Sequence, residues 1–419
     1  MKNNVKFVIF MSIFSLSLSS CENFKKEDDQ NKKTIKKDVK IIATLGKKGW
    51  NKIPEFYESG ANIFRINGSH IKSEEMMKET LDGVMKVLKD DKYKDAEIMY
   101  DTQGPEIRVL IPDKRSKQNE EASYEIQSGD VIYAHTNLND KEIVFTTDTE
   151  RTNNERKQIH IGVNYKDFVE DIYEGMILTI ENRTLYAKVN EIDKTKGIVR
   201  MIVVEVNTKD GKYKLTDRRH INLIGNNVSL PTLTENDKKY IKMSALAGIK
   251  YYAISFVRDD KDIDDVKTLI KNCFIENGFS DNEIAQKMKN IKIIAKIETK
   301  QGLDNIDSIM QKAEGSMVAR GDLASEIPME AVPYAKIDII NTSNKYNKFS
   351  ILATDVLESL TRQEIVSRND VDVVVLTLQL NVDAIMLSNE TAQGEKGTKI
   401  IKILKKIIDY DKNRKVFYY

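Results

Sequence analysis

The chain has 419 residues, and its 66 Lys and Arg nearly balance its 65 Asp and Glu. That length is enough for a large core and about two to three domains. A balanced charge with no basic face excludes nucleic acid as an expected partner, and two cysteines, Cys21 and Cys273, exclude a disulfide framework or a cysteine-based metal site.

Lys2 and Lys6 precede an apolar run from Phe7 to Leu18, too short to span a bilayer comfortably. Leu18-Ser-Ser-Cys21 follows, and the layout is that of a secretory signal. Its last four residues resemble a bacterial lipobox. Residues 1–21 are therefore expected to be a lipoprotein signal peptide, with Cys21 the lipidated N-terminus of a membrane-anchored protein. A chance apolar N-terminus on a cytoplasmic protein is the alternative. Residues 22–40 are strongly charged and read as a solvated linker.

From residue 41, short β-branched runs alternate with longer amphipathic stretches. The runs are Ile41–Thr44, Ala61–Arg65, Glu97–Tyr100, Tyr251–Ser255, Lys292–Ala295, Ser316–Ala319, Phe349–Ala353 and Asp383–Leu387. Helical spacing falls between them at Glu74–Lys89, Asp259–Asn277, Val332–Tyr346 and Asp370–Gln379, and Lys399–Asp411 reads as the last helix. Eight strands alternating with helices predict an α/β fold, a (β/α)8 TIM barrel of parallel strands. Between Arg108 and Asn226 the pattern changes to alternation and turns, with strands expected near Asp130–Ala134, Lys141–Phe145, Gly175–Ile180, Leu185–Val189 and Gly197–Val206. This predicts an all-β lid inserted after the third strand. The domains are then 41–108 (barrel, first part), 109–225 (lid), 226–411 (barrel, second part) and 412–419 (tail).

In such a barrel the site lies at the C-terminal strand ends. Those ends carry Arg65, Asn67 and Ser69; Asp101 and Thr102; Ser255, Phe256 and Arg258; Lys296 and Glu298; Arg320, Gly321 and Asp322; Thr354; and Ser388 and Glu390. Lys296-Ile-Glu298 and Arg320-Gly-Asp322 each place charge behind a buried apolar run, which is costly unless the charge is paired or binds something. Lys296 and Glu298 are two apart and share one face of a strand. Glu298 plus Asp322 suits Mg²⁺, which takes few protein carboxylates and fills its octahedron with water and substrate oxygens. Two structural ion pairs, Lys296–Glu298 and Arg320–Asp322, are the alternative. Gly321 lets a ligand approach the backbone, where free N–H groups suit a carboxylate or phosphate. Asn67, Ser69, Asp101 and Thr102 suit a large monovalent cation, and equally suit loop capping. The four histidines at 70, 135, 160 and 220 lack metal spacing; only His70 lies near these strand ends, and the rest read as surface residues.

The residues in this order resemble the pyruvate kinase family over residues 41 to about 411. The resemblance rests on Ile63-Phe-Arg-Ile-Asn-Gly-Ser-His70, Asp101-Thr-Gln-Gly-Pro-Glu-Ile-Arg108, Ser229–Asp237, Ser255-Phe-Val-Arg258, Ile294-Ala-Lys-Ile-Glu298, Val318–Pro328, Ala353–Ser359 and Ile385–Ala392. It implies Mg²⁺ (or Mn²⁺) on Glu298 and Asp322, and K⁺ on Asn67, Ser69, Asp101 and Thr102. It implies that Arg65 and Lys296 hold the phosphoryl group, that the backbone at Arg320, Gly321 and Asp322 holds the substrate carboxylate, and that Thr354 takes part in protonating the enolate. His70, Arg108 and Arg219 would reach the nucleotide. The implied reaction converts phosphoenolpyruvate and ADP to pyruvate and ATP, and a homo-oligomer through the barrel is consistent with it. The chain departs from the family pattern at Gly46-Lys-Lys-Gly49, Gln103, the lid turn Glu181-Asn-Arg183, Asp355, Asn389, Val373 and Leu376, and the family's C-terminal regulatory domain is not expected. Two alternatives stay open: a catalytically impaired lipoprotein acting as a surface binding protein, and a Mg²⁺-dependent lyase or hydrolase on a pyruvate-like acid.

Overall fold

The structure, a computed structural model, describes residues 37–111, 123–137, 156–224, 229–393 and 395–414. The signal-like segment with Cys21, and the strand expected at Lys141–Phe145, lie outside the described residues.

Three strands open the barrel: β1 (Lys40–Leu45), β2 (Ile63–Asn67) and β3 (Glu97–Asp101). Nine lid strands follow among the described residues. They are β4 (Val109–Leu110), β5 (Ser123–Gln127), β6 (Val131–His135), β7 (Gln158–Val163), β8 (Ile177–Ile180), β9 (Leu185–Asp193), β10 (Ile198–Val206), β11 (Lys212–Thr216) and β12 (Ile221–Leu223). The barrel resumes with β13 (Tyr251–Ile254), β14 (Lys292–Ile297), β15 (Gly315–Ala319), β16 (Phe349–Ala353) and β17 (Ala384–Leu387). The eight barrel strands close in the order β1-β17-β16-β15-β14-β13-β3-β2, every pair parallel. All eight expected strands are present, within two residues at either end.

Parallel strands buried on both faces are largely apolar, and the barrel runs are so apart from charged ends and the buried Ser316 and Ser350. Alternate side chains then face opposite ways. Ile42, Ile63, Met99, Ala253, Ile294, Met317, Ile351 and Met386 fill the barrel interior. Ile41, Phe64, Tyr100, Tyr252, Ile293, Leu352 and Ile385 pack outward against helix residues such as Leu81, Val266, Ile339 and Leu404. The helices start where the sequence supplies caps: Ser73 accepts the Met76 N–H, and Thr234 and Asp237 form a reciprocal capping box.

The lid is a seven-stranded sheet, β12-β8-β9-β10-β6-β7-β4, with β11 and β5 paired separately. Its core includes Val109, Ile132, Ile159, Leu178, Leu185, Val199 and Met201. Strands β4, β5, β7, β11 and β12 are not among the strands expected from the sequence; each is short, and β5, β7 and β11 carry only two or three apolar side chains apiece. The all-β expectation also needs one amendment, a short helix at Phe168–Asp171. Among the described residues no helix is long and apolar enough to cross a membrane.

Candidate functional site at the barrel mouth

The inward parity of the strands builds the site. Ile42, Ile63, Met99, Ala253 and Ile294 point into the barrel, so two residues on, Thr44, Arg65, Asp101, Ser255 and Lys296 come to its C-terminal mouth, and Glu298 follows Lys296. Lys296 Nζ lies 2.6 Å from Ser255 Oγ, 3.0 Å from Asp101 Oδ1 and 3.2 Å from Glu298 Oε1. Arg65 Nε donates to Asp101 Oδ2 at 2.6 Å, and its Nη1 to Thr44 Oγ1 at 3.1 Å. Glu298 Oε2 accepts the Phe256 N–H at 2.8 Å, an amide presented by a residue at φ 54°. A non-glycine residue at positive φ is uncommon, and here it aims a backbone donor at the carboxylate.

These charges are almost completely buried. Burial opposes ionisation of Asp101, but Arg65 and Lys296 outweigh it and hold the carboxyl below its usual range. Burial likewise opposes the Lys296 ammonium, yet Asp101 and Glu298 hold its pKa above the usual value. Glu298 behaves differently. Burial pushes it up, Lys296 pulls it down, repulsion from Asp322 pushes it up again, and the result is about 7. Asp322 is raised too, by burial against the pull of His220 and Lys296. Two carboxylates that repel each other beside a buried cation fit a divalent ion, whose charge would relieve both. That is the fit of the donor set to Mg²⁺ or Mn²⁺.

Of the two ion pairs weighed from the sequence, the structure forms Lys296–Glu298 and not Arg320–Asp322. Arg320 turns to β16, where its Nε donates to Ala353 O at 3.3 Å and its Nη2 to Thr354 O. The helix Arg320–Glu326 begins at Arg320 itself. A Cβ at Gly321 would meet only Thr354 Cγ2 at 3.9 Å, so the space over this turn is open to a ligand. Thr354 Oγ1 accepts the Arg320 N–H at 3.1 Å, and Thr354 has φ 63°. A β-branched residue in that region is a backbone outlier, and such strain gathers at functional sites.

Register pairs Asn67 with Asp101 across β2 and β3, with Thr102 next in line and Ser69 on the turn after β2. Asp101 Oδ1 is buried without a directed hydrogen bond, although Lys296 is near. The corner is rich in oxygen atoms, and its one carboxylate is paired with Arg65 and Lys296. Beside it, a cavity of about 600 Å³ is lined by Gly46, Lys47, Lys48, Trp50, Asn67, His70, Lys72 and Gln393. Gly46 is required there, since a Cβ would fall 2.0 Å from Ala392 O. Arg108 and Arg219 stand apart from this cavity at the root of the lid. Arg108 pairs with Glu106, and Arg219 Nη1 lies 3.0 Å from Glu181 Oε1.

Three residues join the site that the sequence reading passed over. Thr44 receives Arg65 and is tied to Thr391 through its N–H at 2.9 Å. His220, expected on the surface, bridges Glu106 Oε1 at 3.1 Å and Asp322 Oδ1 at 3.9 Å. Burial opposes its charge, but Glu106 raises its pKa. No spacing signal could have found Glu106 and His220, which meet only because the lid leaves and re-enters the barrel at neighbouring points. His135 and His160 are half-buried in the lid, 2.9 Å apart.

Fold and site together define a (β/α)8 barrel that gathers paired carboxylates and cations at its mouth, with a β-rich domain inserted after the third strand. Residues 36–401 match the family described as pyruvate kinase, barrel domain. The chain is 31% identical over 371 residues to a pyruvate kinase of Staphylococcus saprophyticus, covering 88% of this chain and 56% of that protein. It is 30% identical over 373 residues to a pyruvate kinase of Thermotoga maritima, covering 88% of this chain and 70% of that protein. A crystal structure of a pyruvate kinase from Cryptosporidium parvum superimposes with a TM-score of 0.74 over 90% of this chain and 69% of the other, at 24% identity. The chain belongs to the pyruvate kinase family. It spans 57% of the chloroplastic isozyme G of Nicotiana tabacum, to which it is 31% identical over 87% of its own length.

Proposed function

We propose that the chain transfers the phosphoryl group of phosphoenolpyruvate to ADP, giving pyruvate and ATP, with Mg²⁺ or Mn²⁺ on Glu298 and Asp322 and K⁺ on Asn67, Ser69, Asp101 and Thr102. The observation that carries this reading is the buried Lys296 ammonium held among Asp101, Glu298 and Ser255 with Arg65 alongside. Phosphoryl transfer needs positioning and charge stabilisation far more than covalent help. When bound, the divalent ion supplies Lewis-acid stabilisation of substrate oxygens. Lys296 and Arg65 face the phosphoryl oxygens with fixed positive charge. The bond from phosphorus to the enolate oxygen breaks and one to a terminal oxygen of ADP forms. The backbone at Arg320, Gly321 and Asp322 orients the substrate carboxylate. Thr354 takes part in delivering the proton that converts the enolate to pyruvate.

The nucleotide is assigned to the cavity beside His70; Arg108 and Arg219, paired with Glu106 and Glu181 at the lid root, would have to leave those partners to reach it. Trp50, the single tryptophan of the chain, lines that cavity. The full chain given phosphoenolpyruvate, ADP, Mg²⁺ and K⁺ is expected to release pyruvate, and ADP alone to change the Trp50 emission. Tight Mg²⁺-dependent binding of oxalate with no pyruvate formed would instead support the binding-protein or lyase readings. A lipid anchor at Cys21, and hence a bacterial membrane location, is supported by the apolar run before Leu18-Ser-Ser-Cys21. Fatty-acid labelling is expected, and its survival in Cys21→Ala would end that reading. Self-association through the barrel belongs to the same proposal, supported by the exposed apolar Ile365 and Leu376.

A further inference from the structure

The turn joining β8 to β9 is built of left-handed residues. Glu181, Asn182 and Arg183 have φ of 52, 47 and 64° in succession, and none is glycine. Positive φ is costly for most side chains, so such a run persists only where its surroundings enforce it. Asn207 supplies part of that, its Nδ2 donating to Arg183 O at 3.2 Å. The consequence is the direction Arg183 takes. Its side chain leaves the lid, and Nη2 donates to Ile327 O on the barrel. Ile327 caps the C-terminus of the helix Arg320–Glu326, which carries Asp322.

Two more observations converge on this contact. Glu326, the last residue of that helix, is pushed up to about 8 by burial and by Asp322, against the pull of the Lys300 N–H and, after it, the Arg183 charge. Arg183 Nε is itself buried without a hydrogen-bond partner in the structure, so this part of the half-buried side chain is packed against protein while Nη2 makes the contact. Meanwhile the turn is coupled to the histidine over the carboxylate. The Glu181 N–H donates to His220 O at 3.0 Å, and Glu181 Oε1 lies 3.0 Å from Arg219 Nη1. His220 Nδ1 in turn lies 3.9 Å from Asp322 Oδ1. A continuous path therefore runs from the barrel at Ile327, through Arg183 and Glu181, to His220 and back to Asp322 on the same helix.

We propose that Arg183 is a positioning residue, a pin from lid to barrel that fixes His220 beside the Asp322 carboxylate. A glycine in its place would keep the turn and remove the pin. The inference stands on the lid contacts and does not require the assigned reaction.

Hydrogen exchange of the full chain tests it in wild type, Arg183→Gly, Arg183→Asn and Arg183→Lys. Glycine and asparagine both tolerate the left-handed turn, so neither is expected to lower the melting midpoint. Both are expected to speed exchange by about tenfold in the peptide 326–331 and in the lid turn 180–185, the mark of a local opening. Lysine, which keeps a cation of similar reach, is expected to restore most of the protection. In turnover, the glycine variant is expected to lose about tenfold in kcat with KM for the acid substrate within about threefold, as for a residue that completes the site after binding. Unchanged exchange, or loosening confined to the turn while 326–331 stays protected, overturns the proposal, as does an unchanged kcat. If wild type itself forms no pyruvate, the reaction assignment fails and the exchange comparison still decides the pin.

Discussion

Lys296→Met is expected to lower kcat/KM for phosphoenolpyruvate by about a thousandfold or more, comparable to or beyond the loss of a single preorganised transition-state donor elsewhere. Methionine preserves most of the stem volume, so packing of β14 survives the exchange. What disappears is the one ammonium touching Asp101 at 3.0 Å, Glu298 at 3.2 Å and Ser255 at 2.6 Å. Asp101 keeps Arg65 at 2.6 Å. Glu298 keeps the Phe256 N–H but loses its close cation, and Asp322 continues to repel it. Removing one partner of a buried charge cluster typically costs about 3–5 kcal/mol. The melting midpoint of the metal-free variant is therefore expected to fall as well, and more at pH 8 than at pH 6, because Glu298 can take up a proton at the lower pH. Steady-state kinetics and thermal melts at both pH values check this. Activity within tenfold of wild type would remove Lys296 from the phosphoryl site.

The second large effect concerns Glu298. Its carboxyl is raised from 4.5 to about 7, first by burial and then by Asp322. The sign follows from linkage. An acid raised in the folded state favours folding while protonated, so its contribution is fully present below the unfolded value of 4.5 and is lost as pH rises through about 7. Metal binding has the opposite dependence, because the ligand is the deprotonated form. Affinity for Mn²⁺ is expected to weaken by about tenfold for each pH unit below 7, and to level off above about 8. Asp322, raised by the same burial, makes the decline steeper. Glu298→Gln is expected to bind Mn²⁺ at least about a hundredfold more weakly at pH 8, since one of only two carboxylates is gone. Calorimetric or magnetic-resonance titration across pH 5.5–8.5 measures both. A flat affinity profile, or a glutamine variant that binds like wild type, would show that the ion does not sit on Glu298.

Much of the molecule was legible in its residues taken in order. Eight apolar runs alternating with helical stretches determine the barrel, because strands buried on both faces must be largely apolar and the intervening helices must be amphipathic. The period of two along a strand also determines which side chains reach the mouth, so Arg65, Asp101, Lys296 and Glu298 could be named before any coordinates. Less of the lid was legible. Its strands are half-solvated, and β5, β7 and β11 are five or six residues long with only two or three apolar side chains each, too short a signal to stand out.

Tertiary structure alone decided the contacts between distant segments. Arg320 could have paired with Asp322 by spacing, yet the helix that starts at Arg320 carries its side chain to the carbonyls of β16. His220 read as a surface residue, yet it is half-buried at the lid base between Glu106 and Asp322. Arg183 read only as a turn residue, yet three left-handed φ values send it to Ile327. The physical reason is the same in each case. Periodicity is a property of the local chain and survives in one dimension. Which distant strand, helix or lid segment a side chain meets depends on how those elements pack, and that is a property of the closed fold.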